Sequence, residues 1–413
     1  MQVAITGAGV VSSIGIGRQA FLDNVYAGRT RIAAPPWDHR PEFDGVWISN
    51  IVDFDPLAFM PAKVAEGTDR FGQYLLAAAT EAVRSAGYEA PPVPDRTAVV
   101  CCTALGSVHT IAGSQHGLDT IGPDGISSKF HIRAWPNMGA AQIALRWKLH
   151  GPLLTVATAC ASSLDAIAQA ARMVESGQAD MAIAGGADAS MTELRVLSGA
   201  RYGMFKPVAD STKASRPFDR DRTGAVLGEG SAIVVLERLA DAEKRGANIL
   251  GVVRGAASLS DAYHVSSPGP DGTWQAETMR RAISEASLPG GVSSVDAVIA
   301  HATATPVGDL AEARAIHRVF GDDAPPVRVT SLKGHTGHPA GGAGGMGLVA
   351  GLEAMQRGHV PPVAGTTVLD PEIRFRVPTF AQNGDDGGGP VAAIAVNAFG
   401  FGGQNACLVV TRH

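Results

Sequence analysis

LLTVATACASSL, residues 153–164, carries an apolar run into a row of small residues around one cysteine. The segment after it is helical in pattern. Apolar residues recur at Leu164, Ile167, Ala171 and Val174, and Gly177 stands where a helix would end. The same succession of strand, tight turn and helix recurs along the chain. VAITGAGVV (3–11), TAVVCCTA (97–104) and ADMAIAGGADA (179–189) show it in the first half. GVVRGAASL (251–259), DAVIAHATA (296–304) and VRVTSLKGH (327–335) show it in the second. Apolar strands alternating with helices such as QAETMRRAISEAS (275–287) predict an α/β fold with buried sheets.

The two halves read as a weak repeat. Cys160 follows LLTVATA and opens a helix before Gly177; His338 follows VRVTSLKGHTG and opens one before Gly358. AIVVLERL and ACLVVTRH correspond in the same way. This predicts an N-terminal half, 1–250, carrying the cysteine and a C-terminal half, 251–413, carrying His301 and His338. No Pro/Ser-rich linker separates them, so they are expected to pack as one unit around a shared cleft. NGDDGGGP (383–390) reads as a surface connection.

Composition narrows the function. The net charge of −5 gives no general attraction to nucleic acid. No stretch of about 18 apolar residues predicts a membrane span, and the first residues lack a signal-peptide pattern, so a cytoplasmic protein is expected. The cysteines are Cys101, Cys102, Cys160 and Cys407, with no CxxC pair, which argues against a zinc site. Cys101 and Cys102 are adjacent in a strand and should face opposite ways.

A free cysteine is usually a small buried apolar residue. Cys160 is placed differently, where a strand ends and a helix starts. There the helix dipole is expected to favour the thiolate, and small neighbours leave room for a substrate. His301 and His338 each follow an apolar strand, and ligands of α/β sheets gather at such ends. His335 lies three residues before His338, but no third metal ligand is evident. NAFGFGGQNA (397–406) lacks the Lys-Ser/Thr of a phosphate loop and reads as a turn bringing backbone amides and phenyl rings to the cleft. Met204, Phe205 and Phe130 are candidates for lining a pocket, with core packing as the competing role.

Together these segments resemble the β-ketoacyl synthase family of condensing enzymes. VAITGAGVVSSIG, TACASSLDAIAQAARMVESGQADMAIAGGAD, RPFDRDRTGAVLGEGSAIVVLERLADAEKRGA, HATATPVGDLAE, SLKGHTGHPAGGAGG and NAFGFGGQNA match its signatures in order, nearly end to end. The resemblance implies a duplicated thiolase fold in five layers, α-β-α-β-α, usually dimeric. It implies that Cys160 takes an acyl chain from a carrier-protein thioester, and that His301 and His338 promote malonyl decarboxylation and stabilise the enolate. Lys333 would belong to the same network. The amides of Cys160 and Phe401 would form the oxyanion hole, Phe401 would be the gate, and Thr303 and Thr305 would bond the pantetheine arm. No metal or organic cofactor is implied, since the phosphopantetheine arrives on an acyl or peptidyl carrier protein. The chain would pair with itself or with a related subunit.

Three departures stand out. Ala302 replaces a usual glycine. Gly347 stands where the family has a glutamate that partners the lysine, so Lys333 must find another partner, Glu312 or Asp309, or sit differently. Glu66 and Gly67 occupy positions often basic on the carrier-docking face, where Lys63 remains and Arg70 and Lys206 would compensate. The reading is a decarboxylating condensing enzyme of polyketide or fatty-acid assembly. The alternative is a ketosynthase-like acyltransferase or cyclase that closes a ring without decarboxylation.

Overall fold

The computed structural model describes residues 1–37, 39–321 and 327–413. Ten main strands form one continuous hydrogen-bonded array that divides into two five-stranded sheets. β1 (Val3–Ser12), β2 (Thr97–Cys102), β3 (Leu153–Val156), β4 (Met181–Asp188) and β5 (Gly230–Arg238) lie in the order β3-β2-β4-β5-β1. β6 (Gly251–Ser260), β7 (Ala297–Ile299), β8 (Arg328–Thr330), β9 (Ala393–Gly400) and β10 (Gln404–Thr411) lie in the order β8-β7-β9-β10-β6. In each sheet the first three strands are parallel, the fourth runs against them and the fifth runs against the fourth. The second order is the first with five added to every number, which is the signature of a duplication. The sheets meet where β1 pairs β6 through Val3–Val253, Ala4–Val252 and Ile5–Gly251.

Helices fill three layers around the sheets. α1 (Arg70–Ser85) and α2 (Met138–Trp147) pack on one face of the first sheet, against Val99, Cys101, Ile183 and Val235. α3 (Ser162–Glu175) lies between the two sheets. α4 (Glu193–Tyr202) lies outside this layering, over Phe205 and Leu227. α5 (Thr273–Ala286) and α6 (Pro306–Phe320) cover the far face of the second sheet, against Val298, Ala395, Cys407 and Val409. α7 (Ala343–Arg357) joins α3 in the middle, where one apolar core takes in Val100, Val234, Ile299 and Leu408 from both sheets. The result is α-β-α-β-α, the five-layer thiolase fold.

Glycines show the duplication at atomic scale. A Cβ on Gly9 of β1 would stand 2.1 Å from Ala78 O of α1, and one on Gly255 of β6 would stand 2.2 Å from Ala282 O of α5. Only glycine lets each strand approach its outer helix so closely. Cys101 and Cys102 do face opposite ways, the first into the outer core and the second into the central one.

Two local expectations are corrected. LLTV was read among the buried strands, yet Leu153 is 46% and Leu154 41% exposed. β3 is a sheet edge, paired only with β2. His338 does not open a helix directly: Pro339 leads into a 3-10 turn, Ala340–Gly342, and α7 starts at Ala343. NGDDGGGP is mostly exposed, anchored by buried Asp386, which accepts from Val360 N.

Candidate active site

Cys160 sits on a strained elbow between β3 and α3. Ala159 holds φ +50°, a left-handed conformation that costs an alanine about 1–2 kcal/mol. Local bonds hold it there. Thr158 N donates to Ser162 Oγ at 2.8 Å, and that hydroxyl donates to Ala159 O at 2.6 Å. Thr158 Oγ1 donates to Asp165 one helical turn inside α3. The elbow leaves Cys160 partly exposed, whereas Cys101, Cys102 and Cys407 are buried.

The second half delivers both imidazoles to this sulfur. His338 Nε2 lies 3.0 Å from Cys160 Sγ. The His301 ring lies 5.2 Å from the His338 ring, nearly perpendicular to it, with Phe399 at 5.9 Å on its other side. The main chain of His338 is pinned by Val226 O and Gly228 N. That of His301 is pinned by Glu312, which accepts from His301 N at 2.9 Å, Ala302 N at 2.7 Å and Asn397 Nδ2 at 3.0 Å. Both Nδ1 atoms are buried without a partner among the described residues, so no bond fixes either tautomer. Ala302 fits without strain: its φ is not positive, and its N–H is used.

Electrostatics run against one expectation. The helix start was expected to favour the Cys160 thiolate. Burial instead pushes the thiol up to about 11, Asp188 adds to the rise, and Lys333 and Arg195 pull it back. Desolvation is the largest of these influences, and the neighbouring positive charges offset it only in part. Burial, with Lys333 and Arg195, also pushes His338 down to about 3; burial, Lys333 and His338 drive His301 well below its usual range. These shifts favour a neutral thiol beside neutral imidazoles.

Lys333 is 5% exposed, its ammonium pushed down to about 8 by burial and supported first by the charge of Glu312, with a Cys160 thiolate, when one forms, and Asp309 adding to it. Glu312 is thus the leading counter-charge left to it. Gly347 lines a cavity of about 10 Å³ with Lys333, Thr336 and Asn397, room for about one water. A Cβ there would already stand 3.2 Å from Ile299 Cγ2. His335 makes no metal pair with His338: its Nδ1 faces Arg29 O at 3.1 Å and its Nε2 faces Pro362 O at 2.9 Å.

The glycine loop closes the site from above. A Cβ on Gly400 would lie 3.0 Å from Cys160 N, so the loop rests against the amide proposed for the oxyanion hole. Phe401 is 46% exposed beside Tyr202 of α4, with ring centroids 6.1 Å apart. Thr303 and Thr305 place their hydroxyls 3.2 Å apart between β7 and α6. On the docking face Lys63, Glu66 and Lys206 are exposed, and Glu66 is paired with Lys129 at 2.8 Å. Arg70 does not compensate there: it bonds Tyr74 Oη at 2.7 Å and Ile51 O at 2.9 Å.

Two residues escaped the sequence reading. Asp188, fully buried, accepts from Thr103 Oγ1, Ala104 N, Leu105 N and Gly341 N, tying the end of β2 to the turn before α7. Arg195 of α4 lies mostly buried, its charge reaching Cys160 and His338. ELRVLSGARY looks like a surface helix, and nothing in it signals an inward arginine.

Comparison with known proteins agrees with this architecture. The family description "Beta-ketoacyl synthase, N-terminal domain" matches residues 1–242, and "Beta-ketoacyl synthase, C-terminal domain" matches residues 250–367. The 3-oxoacyl-[acyl-carrier-protein] synthase 2 of Coxiella burnetii is 33% identical over 100% of this chain and 98% of its own. That of Staphylococcus aureus strain MRSA252 is 32% identical with the same coverage. Among solved structures, the AntDE:AntF complex, a type II PKS acyl-carrier protein with its ketosynthase bound to the hexaketide, gives a TM-score of 0.88 at 25% identity. A β-ketoacyl synthase from Burkholderia phymatum gives 0.88 at 27%; both matches cover 100% of this chain and 99% of the other. The chain belongs to the β-ketoacyl synthase family, the thiolase-fold acyltransferases that form carbon–carbon bonds in fatty-acid and polyketide synthesis.

Proposed function

We propose that this chain joins a carrier-bound acyl chain to a malonyl unit through an acyl thioester on Cys160. The observation that carries it is the meeting of Cys160 Sγ and His338 Nε2 at 3.0 Å with His301 beside them. The sulfur attacks the acyl thioester; its proton leaves with the carrier's pantetheine thiol. The malonyl thioester then loses carbon dioxide, and its electron pair forms an enolate. An Nε2–H from each neutral imidazole stabilises that oxygen in a site of low dielectric. The enolate carbon attacks the acyl carbonyl, the amides of Cys160 and Phe401 hold the oxyanion, and the cysteine sulfur leaves. Lys333 lowers the pKa of the thiol and of both imidazoles by its charge. The reaction calls on no metal or organic cofactor.

Intact-protein mass measurement with acyl carrier protein should show the acyl adduct on Cys160, and malonyl carrier protein should then release carbon dioxide with a 3-ketoacyl product. Acyl transfer without that release, or a cyclised product, would replace this reading with the ring-closing alternative. The carrier reading draws support from the neighbour solved with its acyl-carrier protein. A dimer belongs to the same proposal: β3 offers an unpaired apolar edge, and Leu105, Ile111, Ile132, Trp135 and Leu145 lie exposed nearby in sequence. An open edge of this kind favours strand pairing with a second copy or a related subunit. No helix among the described residues is long and apolar enough to cross a membrane; a cytoplasmic setting is part of the proposal.

A further inference from the structure

α4 begins at a capped N-terminus, Thr192 Oγ1 accepting from Arg195 N, and ends with Tyr202 against Phe401. Between them Arg195 turns inward. Its Nη1 meets Met204 Sδ at 3.6 Å and passes Gly199, where an added Cβ would be 3.4 Å away; Phe205 and Leu227 line the same spot. Its Nε is buried with no partner, and no carboxylate lies within ion-pair distance of it among the described residues. Leu227 in turn bridges His338. A guanidinium has five N–H donors in a planar fork, and a thioether is a weak acceptor for one of them. Holding the Nε of such a group out of water without an acceptor is costly unless something else supplies the oxygen.

We propose that Arg195 forms a carboxylate subsite beside Cys160, binding an acyl unit that carries a free carboxylate. This rests on the reading of Cys160 as the acyl-accepting nucleophile. The planar fork suits a carboxylate bidentately, which a lysine or an apolar residue cannot reproduce. Two sources offer that chemistry to one guanidinium: the carboxylate of the malonyl unit before it is lost, and a carboxyl-terminated chain loaded on the sulfur. Either makes the site discriminate by charge.

The test uses the full-length enzyme with Arg195→Met and Arg195→Lys. In one arm, loading of Cys160 is timed by intact mass with hexanoyl and 5-carboxypentanoyl pantetheine thioesters. In the other, KM for malonyl carrier protein is measured after a fixed hexanoyl load. The proposal expects one arm to respond. Either the carboxyl-to-alkyl loading ratio falls at least tenfold in Arg195→Met, or KM for the malonyl unit rises by that factor, with partial recovery in Arg195→Lys. A ratio cancels any general change in the reactivity of the sulfur. Unchanged ratio and unchanged KM overturn the subsite while leaving Cys160 as nucleophile. Failure of every thioester to load wild-type Cys160 overturns the nucleophile reading, and the subsite with it. Thermal melting of both variants separates misfolding from lost recognition.

Discussion

Asp188→Asn should weaken the fold and quicken the nucleophile at once. The carboxylate takes four donors: Oδ1 accepts from Thr103 Oγ1 at 2.8 Å and Leu105 N at 3.0 Å; Oδ2 accepts from Ala104 N at 3.0 Å and Gly341 N at 2.6 Å. Three are backbone N–H groups that cannot accept in return, so the bonding pattern calls for the ionised form although burial raises its pKa. An asparagine does best with its oxygen toward Ala104 and Gly341 and its amide toward Thr103, whose hydroxyl can turn and accept. Leu105 N is then the orphan, at about 1–3 kcal/mol, and the two surviving bonds lose their charge assistance, so the total is about 2–4 kcal/mol. The same change deletes the charge that, after burial, raises the Cys160 thiol. Each unit of lowering is tenfold more thiolate at neutral pH, so even half a unit gives about a threefold faster reaction. Urea denaturation reads the first effect, and the rate of iodoacetamide capture at Cys160, located by peptide mapping, reads the second. Slower capture in a variant that is still folded would refute the electrostatic account of the site.

Lys333→Met should act in the opposite sense. Capture of Cys160 slows at pH 7 and both imidazoles titrate at higher pH, because Lys333 lowers all three groups; unchanged imidazole titration by NMR would contradict this. Gly400→Ala forces a methyl to within 3.0 Å of Cys160 N and Thr158 O, and displacing the loop should cut kcat about a hundredfold while the protein stays folded; near-normal turnover would show that the loop is not part of the oxyanion site. Buried Asp309 is pushed up to about 7, with Oδ1 unpartnered, while Oδ2 accepts from Phe218 N at 2.8 Å. A carboxyl raised in the folded state binds a proton on folding, so this group's contribution falls as pH rises from about 4 to about 7. Asp309→Asn should remove that slope and equal or exceed the wild type at pH 8; urea midpoints from pH 5 to 8 decide it.

The repeat was legible because strand, turn and helix are encoded over a few residues each, and LLTVATACASS and VRVTSLKGHTGHP announce matching units. Small residues before Cys160 mark an elbow, and histidines at strand ends mark a cleft. The features that stayed hidden depend on residues distant in sequence. LLTV looks buried until β3 proves to be an edge, and Arg70 looks like a docking charge until its guanidinium is seen bonding Ile51 O.

The sequence by itself determined the duplicated α/β framework, because periodicity and turn chemistry are local, and its resemblance to the condensing enzymes pointed to the three groups that meet. Only the tertiary structure decided their electrical state. A thiol at a helix start reads as acidic from its own segment; here it is held up near 11 by burial and by Asp188, and drawn down by Lys333 and Arg195. Desolvation is set by whatever packs around a group, and most of what packs here comes from the other half of the chain.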